Sequence, residues 1–184
     1  MTITSTETED AHEIAGEVGG KAVESNEEAA QAAEVIVLAV PYAAVKAILE
    51  DLGDGVDGKI LVDVTNRISR EYPASVIDGS SNAEKIQAAA PNGRVVKAFN
   101  TVFAARQADP KADGISLDGF VASDDDQARE TVLELVSSVG FRPIDVGGLG
   151  MARALEAMGA LNISLQIRNQ WSWQMGWKLL GPTK

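Results

Sequence analysis

Residues 34–40 read EVIVLAV, residues 59–64 read KILVDV and residues 94–99 read RVVKAF, and these three runs decide the fold. Each is short, β-branched and almost continuously apolar, the pattern of a strand covered on both faces. Between the first two lies a helix-period set at Val45, Ile48, Leu49 and Leu52, and residues 82–90 carry a second helical pattern before the third run. Strands of this kind separated by helices predict a parallel sheet with helices on either side. Residues 117–122 and 141–146 read as two more strands, divided by a helix with apolar positions at Ala128, Val132, Leu135, Val136 and Val139. Toward the amino end, residues 2–6 (TITST) form a short β-branched run, residues 8–16 a helix and residues 21–24 (KAVE) a short strand. Ser25 reads as an N-cap with Glu28 at the capping-box position of a helix ending near Ala33. From Gly150 onward the chain reads as one long helical segment. The expected architecture is a doubly wound, mostly parallel α/β domain over residues 1–149, with a helical segment at 150–184 packed on it or on a dimer partner.

Composition narrows the classes of function. The 184 residues are 45% hydrophobic and 23% charged, the balance of a globular chain about one domain long. Lys+Arg 16 against Asp+Glu 27 leaves a formal net charge of −11. Such a surface repels phosphate backbones and anionic lipid heads, so neither nucleic acid nor a membrane is an expected partner. The acidic excess is spread over Asp51, Asp54, Asp57, Asp113, Asp118, Asp124, Asp125 and Asp126 and points to a salt-tolerant, halophilic surface. Residues 35–40, the longest strongly apolar run, are too few to span a bilayer, and MTITSTETED lacks the basic and apolar regions of a secretory leader. The expected location is the cytoplasm.

The absence of cysteine removes disulfides, thiolate nucleophiles and Cys-ligated metals. His12, inside the acidic stretch 7–13, reads as a solvated helix residue, which leaves metal catalysis and a Ser-His-Asp triad poorly supplied. In open parallel sheets ligands bind beyond the carboxyl ends of the strands. Those ends are Pro41-Tyr42, Thr65-Asn66, Asn100-Thr101 and Gly147-Gly148-Leu149-Gly150, and four polar or tightly turned ends on one edge predict a binding cleft. Each also has a plainer role: Pro41 as a helix-start residue, Asn66 as a turn former, Gly147 and Gly148 as flexible links. Neither glycine cluster makes a dinucleotide fingerprint. Gly16, Gly19 and Gly20 follow a helix, and Gly148-Leu149-Gly150 puts Arg153 at the third position with no strand after it.

Taken in order, VIVLAVPY (35–42), LVDVTN (61–66), VVKAFNT (95–101) and FRPIDVGGLGMARALEAMGALNISL (141–165) resemble the NADP-dependent oxidoreductases of the coenzyme F420 reductase family over nearly the whole chain. The resemblance implies a Rossmann-like fold, with NADP(H) and coenzyme F420 as the hydride-exchanging pair. It implies that Ser5 and Thr6 meet the adenosine ribose and its 2′-phosphate, that Val40 and Pro41 pass the cofactor ribose, and that Asn66 lies on the nicotinamide side. Ala98, Phe99, Asn100 and Thr101 would frame the nicotinamide, while Gly147, Gly148 and Leu149 would shape the pocket of the hydride partner. With both rings carrying their own redox chemistry, the protein would need only to position them. Residues 2–7 (TITSTE) correspond to the family's second strand; its first strand and Gly-rich turn are missing, and Thr6 stands where many relatives carry Arg. Strands at Thr2 and Lys21 would then be cut off from the sheet unless they paired directly with the strand at Val35, and a truncated start is expected. Two other functions fit the same residues: a non-catalytic nucleotide-fold binding module, and a reductase of another acceptor such as an imine or a metal chelate.

In the last segment Leu155, Met158, Leu161 and Leu165 make one helical stripe and Ile163 and Ile167 another, predicting a helix that is buried or paired in a homodimer. Trp171, Trp173 and Trp177 are expected in core packing or a subunit seam, ahead of a flat-ring pocket.

Overall fold

The computed structural model describes residues 1–66 and 79–182. Its centre is a parallel sheet in the order β3–β4–β5, formed by β3 (Val35–Leu38), β4 (Ile60–Asp63) and β5 (Arg94–Lys97). Alternation of side chains sorts these strands between two layers. Leu61 and Val95 point into a core with α3 (Tyr42–Leu52) and α4 (Asn82–Ala89), through Val45, Leu49 and Ile86. Ile60, Val62 and Val96 point the other way, onto α6 (Asp126–Val139) through Ala128, Val132 and Val136. Burial on both faces explains why the runs of β4 and β5 are continuous rather than alternating, whereas β3 leaves Val37 exposed.

A second parallel pair, β8 (Asp118–Val121) and β9 (Arg142–Asp145), extends this sheet. It joins β5 through an antiparallel bridge in which Lys97 N–H donates to Ala122 O (2.8 Å) and Ala122 N–H to Lys97 O (3.0 Å). Gly119 lets α6 lie against β8, since a Cβ there would stand 2.5 Å from Val136 Cγ1. Before β8 come the short α5 (Ala104–Gln107) and a hairpin of β6 (Lys111–Ala112) and β7 (Ile115–Ser116). The hairpin turns on Asp113-Gly114, both at positive φ (51° and 76°), a dipeptide suited to tight turns.

At the amino end β1 (Thr2–Ile3), α1 (Thr8–Val18) and β2 (Lys21–Ala22) make a separate two-stranded parallel sheet. The strand expected over residues 2–7 is therefore only two residues long. α2 (Asn26–Gln31) connects this unit to β3, with the Ser25 hydroxyl accepting from Glu28 N–H as expected. No ladder joins β1 to β3 among the described residues. Between them lies a slot of about 550 Å³, walled by residues 1–4 and 35–40 and floored by Ala30, Ile48 and Leu52. Met1 O accepts from Lys21 N–H, Ile3 O from Val23 N–H just after β2, and Glu34 O from Ile60 N–H. Parallel alternation then turns the amide groups of Thr2 and Thr4 and of Val35 and Val37 toward the slot.

α7 (Ala152–Asn169) is the long C-terminal helix. It ends at Gln170 in a left-handed cap (φ 55°), and residues 170–182 form an irregular strap, so the helix expected to run to the terminus stops short. The strap is fastened at Asp118, which is fully buried. Its carboxylate accepts from Arg142 (Nε and Nη2, both 2.6 Å), Lys178 Nζ (3.0 Å) and Leu179 N–H (2.6 Å). Burial pushes that carboxyl up, but the hydrogen bonds from Arg142, Leu179 and Lys178 outweigh it and hold the group below its ordinary value. Trp171 and Trp173 are exposed, Trp173 meeting Phe103 edge-on at 5.3 Å, whereas Trp177 packs with Phe120 and Leu155. Of the three tryptophans expected in core packing or a subunit seam, Trp177 joins the core. Leu161 and Ile167 of the helical stripes are also exposed.

Candidate cofactor site at the strand ends

β4 and β5 run side by side, with Asp63 level with Lys97, so Thr65-Asn66 and residues 98–101 leave the sheet together. Asn66 Nδ2 donates to Asn100 O (2.7 Å), and Asn100 Nδ2 donates to Asn66 Oδ1 (3.0 Å) and to Leu155 O (2.9 Å). The two asparagines thus lock the strand ends to each other and to α7. Gly159 makes this approach possible: a Cβ there would lie 2.6 Å from Asn66 Oδ1 and 3.1 Å from Asn100 O. Phe99 adopts a left-handed backbone (φ 61°), a conformation that costs a bulky residue about 1–3 kcal/mol and collects at functional sites. Its ring packs edge-on to Phe141 at 6.4 Å.

Asn100 Oδ1 and Thr101 Oγ1, like Asn82 Oδ1 nearby and Trp177 Nε1 elsewhere, are buried and make no hydrogen bond among the described residues. An unmet buried polar atom costs about 1–3 kcal/mol, so both atoms call for a donor from a ligand or a water. Ala98 is fully buried beneath them.

The other candidates are placed differently. Val40 packs beside the α3 core and lines the slot, and Pro41, at the N-cap of α3, is exposed. Ser5 and Thr6 are exposed past β1, where Ser5 Oγ accepts from Glu7 N–H (3.3 Å). Glu7, Glu9 and Asp10 surround the start of α1, which opposes an anion there. Gly147 (φ 88°) donates its N–H to Asp145 Oδ1 (2.7 Å), and Leu149 N–H donates to Asp124 Oδ1 (2.7 Å). Leu149 is buried in the α3–α4 core. Because β8 and β9 run against β5, this turn lies near Ser123 and Val95 rather than beside Asn100. The expectation of four strand ends on one edge therefore holds for β3, β4 and β5, and not for β9.

Sequence reasoning passed over the charges beneath the asparagines. Lys97, Asp63 and Glu156 are all buried, with Lys97 Nζ 2.8 Å from Asp63 Oδ2 and 3.2 Å from Glu156 Oε1. Their signal was visible in LVDV and VVKAF, where an ionisable residue interrupts an apolar strand. Arg153 on α7 pairs with Glu84 on α4 (Nη2 to Oε1, 2.6 Å) and, above the Ser81 hydrogen bonds, holds that carboxyl down at about 2. His12 is exposed on α1, and among the described residues no group of acids or histidines could hold a metal ion. No described helix is long and apolar enough to cross a membrane.

Helices on both faces of a mostly parallel sheet, with a polar floor at the strand ends, define a Rossmann-like nucleotide fold. Comparison with known proteins makes the class specific. The family described as NADP oxidoreductase coenzyme F420-dependent matches residues 1–67. The F420-dependent NADP reductase of Methanothermobacter marburgensis is 34% identical over 154 residues, covering 79% of this chain and 68% of that protein. Metalloreductase STEAP3 of Rattus norvegicus is 40% identical over 133 residues, covering 72% of this chain but 26% of the relative. A crystal structure from Arthrobacter sp. FB24, described as a candidate F420-dependent NADP reductase, superposes with a TM-score of 0.85 at 26% identity, over 98% of this chain and 88% of that one. An imine reductase from Myxococcus stipitatus shares the fold alone, at 15% identity and a TM-score of 0.65. The chain belongs to the F420-dependent NADP reductase family.

Proposed function

We propose that the chain binds NADP(H) along the ends of β1, β3, β4 and β5 and passes hydride between it and coenzyme F420 or a similar acceptor. The observation that carries this reading, beside family membership, is the pair of buried, unpartnered atoms Asn100 Oδ1 and Thr101 Oγ1 above the locked Asn66. Once the strand ends open to admit the ring, they would offer an acceptor and a hydroxyl to the carboxamide of a nicotinamide. NADP(H), when bound, supplies the hydride. Asn66, Ala98, Phe99, Asn100 and Thr101 form the floor that orients the ring, and Val40 and Pro41 border the ribose. The buried strand ends exclude water, and positioning is the whole of the protein's contribution, in keeping with a chain that has no cysteine and an exposed His12. Gly147, Gly148 and Leu149 act by setting the start of α7, which brings Leu155 and Gly159 to Asn66 and Asn100. Exposed Leu161 and Ile167 on α7 are proposed to meet a second copy in a homodimer. A cytoplasmic setting is proposed with it.

The acidic surround of Ser5 and Thr6 favours a second reading, a nucleotide-fold binding module without turnover. Fluorescence titration with NADPH, followed by F420 reduction monitored by absorbance, separates them. Saturable binding with turnover of F420 supports the reductase, and turnover of an imine or a ferric chelate in its place supports the same fold acting on another acceptor. A folded chain that binds no dinucleotide overturns the cofactor assignment and supports the module.

A further inference from the structure

Beneath Asn66 and Asn100 the structure spends three buried charges where hydrocarbon would pack. Lys97 Nζ donates to Asp63 Oδ2 (2.8 Å) and Thr65 O (2.6 Å), with Glu156 Oε1 at 3.2 Å, so its protons all point at partners. Asp63 Oδ1 accepts from Thr65 N–H (2.8 Å), and Glu156 Oε1 from Asn82 N–H (2.8 Å) at the start of α4. Asn82 Nδ2 closes the network on Thr65 Oγ1 (3.0 Å). Desolvating such groups costs several kcal/mol per ion, and apolar replacements of similar volume are often as stable or more so. What hydrocarbon does not supply is direction.

Thr65 and Lys97 adjoin residues of the ring floor in sequence, and Glu156 adjoins the stretch of α7 that touches it. Thr65, held at both its N–H and its C=O, precedes Asn66. Lys97 precedes Ala98 and the left-handed Phe99. Glu156 follows Leu155, whose carbonyl accepts from Asn100, and lies one helical turn before Gly159. A strained residue persists only where its surroundings over-determine it, and Phe99 has Lys97 pinned from three sides two residues upstream.

The geometry points to Asp63, Lys97 and Glu156 as a positioning cluster that sets Asn66, Phe99 and Asn100 for the nicotinamide. It rests on the reading that these residues face the cofactor ring. Glu156→Gln is the mild probe, keeping an oxygen for Asn82 N–H and Lys97 while removing one charge. The triple variant Asp63→Asn/Lys97→Met/Glu156→Gln removes all three charges together, stranding none of them, and guards against a single change that fails to fold. Three measurements are made on each full-length protein: thermal midpoint, hydrogen exchange of the Asn66 and Asn100 side-chain amides, and kcat and KM for NADPH with F420.

In a variant that keeps the wild-type circular dichroism, exchange of the two side-chain amides rises about tenfold beyond what the change in midpoint accounts for. Misplacement of the floor lowers kcat about tenfold to a hundredfold, with KM for NADPH within about threefold. Amide exchange that merely follows global stability, or kcat and KM that move together, overturns the assignment. Should wild type bind no NADPH, the cofactor reading falls, and the amide exchange still decides whether the cluster positions the asparagines.

Discussion

Two two-stranded parallel sheets flank the central three strands, and they have met opposite fates. β1–β2 has two residues per strand, none of them buried, and reaches the rest of the molecule through α2. β8–β9 has four residues per strand, with β8 buried throughout, bridged to β5 and fastened to the C-terminal strap at Asp118. Parallel strands are stable when covered on both faces and paired on an edge. β8–β9 meets both conditions through α6, α7 and β5; β1–β2 has only α1 and a slot.

The sharpest way to break this contrast is to truncate one side chain in each pair. Phe120→Ala in β8 is expected to cost about 3–5 kcal/mol, whereas Ile3→Ala in β1 costs less than about 1 kcal/mol, both read from urea unfolding. Equal costs would show that the amino-terminal unit is as much a part of the cooperative core as β8.

Next in size is the strap. Asp118→Asn keeps the shape but removes the charge that Arg142 and Lys178 share, and should cost about 1–3 kcal/mol. Acid acts on the same point. The Asp118 carboxyl is depressed below 3.8, and that of Glu84 from 4.5 to about 2. A depressed acid stabilises the fold fully above its unfolded value and loses that contribution as pH falls through the folded one. Stability should therefore drop below about pH 4.5, with protection at Leu179 and around Arg153 lost before that of β4 and β5. Hydrogen exchange between pH 5 and 2 would reveal the opposite order if the strap were not tied by charge.

Helix starts give a smaller contrast. α6, which covers β8–β9, is capped by Asp125 Oδ1 accepting from Ala128 N–H at 2.7 Å; α2, beside β1–β2, by Ser25 Oγ at 3.1 Å. Asp125→Ala should cost about 1–2 kcal/mol and Ser25→Ala about 0.5 kcal/mol in thermal unfolding. Least of all is the exposed Lys21–Glu28 pair, 3.0 Å apart, where Lys21→Ala should change stability by less than about 0.5 kcal/mol.

The same asymmetry governs what the sequence could disclose. EVIVLAV, KILVDV and RVVKAF announced themselves because they are short, β-branched and almost continuously apolar, with only Asp63 and Lys97 breaking the last two. TITST looked equally strand-like, but a strand's length depends on its neighbours, and β1 has one where β4 has two. The strap deceived for a related reason. Apolar residues continue past Asn169, yet Gln170 turns left-handed and Gly176 presses against Leu117, a packing choice that helical periodicity does not encode. At the site, Asn66, Asn100 and Thr101 were legible as polar residues at strand ends. Their partners Leu155, Glu156 and Gly159 were not, since a contact across 55 residues or more leaves no local mark.

The slot beside β3 makes the protein a template. Its two edges turn toward each other amide groups that no described strand covers, the arrangement on which a stray polypeptide adds itself. Edges are usually defended by charge, and among the described residues Glu34 is the single charged side chain on the slot's lining. What guards the edge from another copy is the net charge of −11 spread over the whole surface, a defence that works at long range and fades as the Debye length shrinks. Light scattering from concentrated protein should thus climb with salt, and Val37→Lys, planting a charge on the open edge, should flatten the climb.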